Sequence, residues 1–230
     1  MLLAMMFLCS QPAAADIVAV LFTGFNPEDH GGMDIFKEDL DSRFATDYPV
    51  YTFSSQVFAY SERQEAFDYV DQFAAIDQLF VVGHSWGGNA LIRLAEEHLR
   101  PAGVSVDATF QIDSVDIFDF GLEDNVLPAN VIAGYNYYQI ATGLFEPGGE
   151  QNVIGAVNIN VEELFNDTSI THTSIDNDER LHDLIYSNMQ LSLVPEPGAL
   201  TLTGWAAFIL AVRRRDRRQL PAPVNGADTF

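Results

Sequence analysis

The chain has 230 residues, with 11 basic and 33 acidic side chains and a formal net charge of −22. Five arginines crowd into 213–218, leaving residues 16–194 only Lys37, Arg43, Arg63, Arg93, Arg100 and Arg180, and a field of that sign opposes binding to nucleic acid or anionic lipid. The single cysteine, Cys9, lies in the N-terminal apolar segment, which excludes disulfides, thiol catalysis and Cys-ligated zinc from the remainder.

Leu2 to Cys9 is apolar, and Ala13-Ala14-Ala15 supplies small residues before Asp16. That is the arrangement of a secretory signal with an Ala-x-Ala-like cleavage site, here without a basic n-region, because no Lys or Arg precedes Lys37. Residues 1–15 are set aside as a signal peptide. Ile17 to Phe22 is a continuous apolar run, as in a strand buried on both faces. Thr23-Gly24-Phe25-Asn26-Pro27 breaks it, and Ile35, Phe36, Leu40 and Phe44 then recur at helical spacing. Val50 to Phe53 reads as the next strand, and Ala66, Phe67, Val70 and Phe73 mark an amphipathic helix. Leu79 to Val82 is a strand and Ala90 to Glu97 a helix. Val104 to Ile112 is a strand ending at Asp113; Val131 to Tyr138 and Val153 to Ile159 are two more β-rich stretches. Arg180 to Leu191 closes with a helix carrying Leu181, Leu184, Ile185 and Met189 on one face. Alternation of β and α predicts an α/β domain over 16–193, a mostly parallel sheet with helices on both faces.

Between the third strand and its helix lies Gly83-His84-Ser85-Trp86-Gly87-Gly88. A Gly-x-Ser-x-Gly in a strand–turn–helix setting resembles the nucleophile elbow of the α/β-hydrolases. The turn is tight enough to strain the serine, and its neighbours must be small. Ser85 would stand above the sheet, with a helix N-terminus beneath it to favour negative charge.

A serine needs a base, and the base needs an acid to hold its tautomer. His172 and His182 both follow Ser85 in the chain. His172 sits in the polar loop Asp167 to Asp176, just before the last helix, and is the expected base; His182 falls inside that helix, where packing or surface exposure is the simpler role. His98 lies in the elbow helix and points elsewhere. The acid is Asp113, Asp116 or Asp176. Asp113 is favoured because it ends the strand after the elbow helix, whereas Asp176, four residues from His172, can simply cap the helix that follows. No metal site is expected: Asp113, Asp116, Asp119, Glu123 and Asp124 cluster, but with no calcium-loop spacing.

At the far end, Val194-Pro195-Glu196-Pro197-Gly198 leads into the apolar stretch Gly198 to Val212 and then Arg213-Arg214-Arg215-Asp216-Arg217-Arg218. A short apolar segment followed by arginines is a stop-transfer pattern, somewhat shorter than the roughly 20 residues of a full span. This tripartite end, 194–218, resembles the PEP-CTERM sorting signal of Gram-negative bacteria. That resemblance implies a transmembrane helix, recognition of Pro195, Glu196 and Pro197 by an exosortase-type processing enzyme, and export to the cell surface or beyond. The tail 219–230 departs from the pattern, since such signals usually end near the arginines.

Taken together, Ile17 to Leu191 resembles a small lipase- or esterase-like α/β-hydrolase with a minimal cap, on the strength of Thr23-Gly24-Phe25, Gly83 to Gly88, Ile112 to Val115 and His172. The resemblance implies an exported serine hydrolase: Ser85 attacks an ester carbonyl, His172 moves the proton, and water releases the acyl group without a cofactor. It implies an oxyanion hole from the backbone N–H groups of Trp86 and Phe25. The ester substrate is a lipid, a polymer or an acylated sugar, with Trp86, Phe25 and the tyrosines near 135–138 available as an apolar wall. Two other readings stay open: a matrix or adhesion protein on a hydrolase scaffold, and an acyltransferase to sugars.

Overall fold

Six consecutive apolar positions, Ile17 to Phe22, cannot be solvated, so the first strand has to lie at the centre of the sheet. In the computed structural model, which describes residues 16–25, 31–115, 125–140 and 148–193, β1 (Asp16–Phe22) has Ile17 to Phe22 fully buried. The other strands are β2 (Thr52–Phe58), β3 (Gln78–His84), β4 (Val106–Ile112), β5 (Val131–Tyr138) and β6 (Val157–Asn160). All pair in parallel, in the order β2-β1-β3-β4-β5-β6. A parallel sheet needs both faces covered. On one face Val18, Val20, Phe22, Leu79 and Val81 pack with Ala66 and Val70 of α2 (Arg63–Val70) and with Ala90 and Leu91 of α3 (Trp86–Arg93). On the other lie α1 (Gly31–Asp47), with Phe36, Leu40 and Phe44 buried, and α5 (Glu179–Leu193), with Leu181, Ile185 and Met189 buried. Rings join these two helices: Phe44 meets Tyr186 edge-on at 5.3 Å, and Phe36 stacks on His182 at 4.4 Å. A short α4 (Val161–Phe165) follows β6, capped by Asn160, whose side chain accepts from the N–H groups of Glu162 and Glu163.

The α/β class and the parallel sheet agree with the sequence reading, and several boundaries move. The second strand is 52–58 rather than 50–53: as an edge strand it carries polar Ser54, Ser55 and Gln56, and so lacks a continuous apolar run. The fourth strand starts at Val106, not Val104, and the sixth is only 157–160, on the opposite edge. Ile35 is 54% exposed, off the buried face of α1. Phe73 lies beyond the end of α2 and packs edge-on against Tyr69 at 5.3 Å. The elbow helix continues as a π-helical turn, Leu94–Leu99, which carries His98 to Phe67, away from Ser85. The predicted signal peptide and the segment from Val194 to Phe230, with the Pro-Glu-Pro motif, lie outside the described residues. The chain divides after Ser192 into two units, the second described only at Leu193. Among the described residues no helix is long and apolar enough to cross a membrane.

Candidate active site

In this strand order the connections leaving β1 and β3 run to opposite sides of the sheet. The crevice between their carboxyl ends is where ligands bind in open α/β sheets. Ser85 follows β3 and Gly24 follows β1. Ser85 has φ 57° and ψ −123°, a conformation that costs an L-residue about 1–3 kcal/mol. The two flanking glycines permit it: a Cβ on Gly83 would run into the backbone of Gly87, and one on Gly87 into the carbonyl of Phe22. Backbone bonds lock the turn, with Ser85 N–H donating to the Ile112 carbonyl at 3.0 Å and Gly88 N–H to the Ser85 carbonyl at 2.9 Å.

His172 reaches this serine from the loop before α5. Its Nε2 is 2.9 Å from Ser85 Oγ, and its Nδ1 is 2.6 Å from Asp113 Oδ2. A carboxylate only accepts, so Nδ1 carries the ring proton and Nε2 is left to accept from the serine hydroxyl. Ser85 is 6% exposed and Asp113 0%, so both bonds sit where water competes little. Asp113 stands one residue past β4, also at positive φ (46°). Two of the three non-glycine residues with positive φ among the described residues are therefore these two, strain gathered at one site.

The Asp113 carboxylate is held by a residue that sequence reasoning missed. Gln139 donates its backbone N–H to Oδ1 and its side-chain Nε2–H to Oδ2, both at 3.1 Å. Gln139 immediately follows β5, which pairs with β4 with Ile112 opposite Tyr137; that register continues to Tyr138 opposite Asp113 and leaves Gln139 one residue further on, within reach of the carboxylate. Gly149 closes the same corner: a Cβ there would strike Asp113 Oδ1 and lie 2.7 Å from its Cα. Asn136 fastens that segment by donating to the Glu150 carbonyl at 2.6 Å.

The loop bearing His172 is braced at its surface. Asp167 accepts from Ser169, and Arg180 joins Asp167 at 2.9 Å and Asp178 at 2.6 Å. The Ser169 hydroxyl, then Arg180, hold the Asp167 carboxyl down at about 2. Asp178 is likewise lowered, chiefly by Arg180.

The other candidates separate clearly. Asp176 does not touch His172's ring; its Oδ2 faces His84 Nδ1 at 3.3 Å. His182 is buried, stacks on Phe36 and donates to or accepts near nothing at Ser85, its Nε2 instead bonding the Asp176 carbonyl at 2.8 Å. Asp116, and with it most of the acidic cluster, lies outside the described residues. Among the described residues no group of His, Cys, Asp and Glu side chains is arranged to hold a metal.

Trp86 and Phe25 meet beside the serine. Their rings are edge-to-face at 4.6 Å, and Tyr60 adds a second edge contact to Trp86 at 4.9 Å. Phe25 is 65% exposed. A Cβ on Gly24 would sit 2.9 Å from Ser85 Cβ and 3.3 Å from its Oγ, so the backbone before Phe25 passes directly over the nucleophile candidate. Tyr137, by contrast, is fully buried and receives a hydrogen bond from Asn188, core rather than wall. No protein-family model matches the chain, and no curated protein matches it.

Proposed function

We propose that the protein is an exported serine hydrolase of α/β-hydrolase type, cleaving carboxylic esters through an acyl-serine. The observation that carries this reading is the hydrogen-bonded chain from Ser85 Oγ through His172 to Asp113 Oδ2. The order Ser, Asp, His along the sequence is that of the α/β-hydrolases, and the strained serine between β3 and α3 supports the same assignment.

In the first step Ser85 Oγ attacks the ester carbonyl as His172 Nε2 takes its proton. The imidazolium is stabilised by Asp113, which stays ionised. Backbone N–H groups at Trp86 and in the Gly24–Phe25 segment would receive the oxyanion, Trp86 being the first residue of α3. His172 then returns the proton to the leaving alkoxide, giving the alcohol and acyl-Ser85. A water, deprotonated by His172, attacks the acyl carbon; collapse releases the acid, and the proton goes back to Ser85 Oγ.

The exposed Phe25, edged against Trp86, supports an apolar contact for the ester group. Lipids, polymers and acylated sugars are the candidate classes. The Pro195-Glu196-Pro197 end supports sorting by an exosortase-type enzyme after membrane insertion.

The test is fluorophosphonate labelling of the purified full-length chain. Wild type should label, and Ser85→Ala and His172→Ala should not. A folded wild type that fails to label refutes the reading.

A further inference from the structure

His84 precedes Ser85 and takes no part in the proton relay, yet its side chain is only 12% exposed. Its Nε2 lies 2.9 Å from the backbone carbonyl oxygen of His172. Its Nδ1 lies 3.3 Å from Asp176 Oδ2, and its ring centre is 5.0 Å from that of His172. The residue beside the nucleophile thus touches the backbone of the base.

The chemistry of the two partners defines what the ring does. A carbonyl oxygen only accepts, so the 2.9 Å contact is a hydrogen bond only when Nε2 carries a proton. In a neutral ring Nδ1 is then bare, and 3.3 Å to a carboxylate oxygen is long for a charge-assisted bond. Burial is the largest influence and holds His84 below the ordinary histidine value. His172 pushes the same way, while Asp176, Asp113 and the His172 carbonyl pull upward. A neutral His84 suits its surroundings: a second cation 5.0 Å from His172 would oppose the imidazolium formed when Ser85 loses its proton.

Asp176 is itself firmly seated. A Cβ on Gly32 of α1 would strike its carboxylate and lie 2.8 Å from its carbonyl oxygen, so α1 packs directly onto it. His182 of α5 bonds its carbonyl at 2.8 Å, and Asn177 donates to its Oδ1 at 3.3 Å. His84 therefore stands beside a residue that α1 and α5 hold in place, and it points its one N–H at the loop that carries the base.

We propose that His84 is a positioning residue: by donating Nε2–H to the His172 carbonyl it ties the base-bearing loop to the strand that presents Ser85. This rests on the reading of Ser85 and His172 as nucleophile and base. Asp113 and Gln139 orient the imidazole through its Nδ1. His84 fixes the backbone from which that imidazole hangs, so the two supports act on different degrees of freedom.

The test compares full-length wild type, His84→Leu and His84→Gln, each checked for folding by circular dichroism. Labelling by a fluorophosphonate, and kcat and KM for p-nitrophenyl acetate, are measured side by side. Leucine removes the donor, whereas glutamine returns an amide N–H at about the reach of Nε2. In His84→Leu kcat should fall about tenfold or more with KM little changed, because the base is displaced from the serine, and His84→Gln should recover most of that loss. A folded His84→Leu at the wild-type rate, or a His84→Gln as slow as His84→Leu, overturns the proposal. Nitrogen-15 NMR of the wild-type histidine rings covers the case in which the variants do not fold. It should find neutral His84 as the Nε2–H tautomer at about pH 8, and the Nδ1–H tautomer would overturn the proposal equally. A folded wild type that does not label defeats the hydrolase reading itself and this role with it.

Discussion

Gln139→Met isolates the support of the acid from the acid itself. Asp113 is fully buried and accepts from His172 Nδ1 at 2.6 Å and from the backbone and side-chain N–H groups of Gln139 at 3.1 Å. Methionine keeps the length and much of the volume of glutamine and removes only the side-chain amide, so the backbone bond to Oδ1 survives. Losing one hydrogen bond to a buried charged group costs about 1.5–3 kcal/mol. At about 2 kcal/mol a domain of this size should melt about 4–8 °C lower. If the same deficit falls on the transition state, where Asp113 faces an imidazolium, kcat drops roughly thirtyfold. KM should change far less, because Gln139 lies behind the carboxylate and touches no substrate. The assays are thermal unfolding by circular dichroism and steady-state hydrolysis of p-nitrophenyl acetate. Unchanged Tm together with unchanged kcat would show that Gln139 does not hold the carboxylate, and the argument from register would fail.

Asp113→Asn should leave the fold intact and lower kcat on the order of 10⁴-fold, as for the corresponding change in serine-protease triads, because an amide facing Nδ1 favours the wrong imidazole tautomer; hydrolysis near the wild-type rate would remove Asp113 from the relay. Burial lowers the His84 pKa below 6.5, with Asp176, His172 and Asp113 as its charged neighbours. The unfolded chain then binds more protons than the folded one below that value, so this contribution to stability is present above about pH 6.5 and lost as pH falls toward the folded value. Urea midpoints at about pH 8 and about pH 5 should therefore differ less in His84→Gln than in wild type; equal differences would contradict the buried, neutral ring. Replacing Glu196 by Ala should leave unprocessed chain in the inner membrane on fractionation, and normal release would reduce the C-terminus to a plain anchor.

Much of this protein is written locally. The run Ile17 to Phe22 and the run Leu79 to Val82 have no polar alternation, and only a strand covered on both faces can bury them. The elbow is readable because its constraint is local: glycines at 83 and 87 are needed where the chain turns back on itself within five residues. His172 is legible as a histidine in a pre-helical loop, and chain order leaves Asp113, Asp116 and Asp176 as candidate acids, with Asp113 favoured because it ends a strand.

What depends on distant partners was beyond that reading. Gln139 belongs to no motif and acquires its contact with Asp113 only because β5 lies beside β4 in a particular register. Asp176, the acid nearest His172 in sequence, is turned toward His84 instead, with α1 packed over it. Periodicity also failed at the sheet edges: β2 and β6, each paired on one side only, carry mixed side chains and expose several of them. Sequence by itself determined the buried strands, the serine turn and the order of the reactive groups, because each is set by residues within a few positions of one another. Only tertiary structure decided which carboxylate holds the base, what holds that carboxylate, and how His84 is used, because a hydrogen bond between chain segments dozens of residues apart is made by strand order and helix packing.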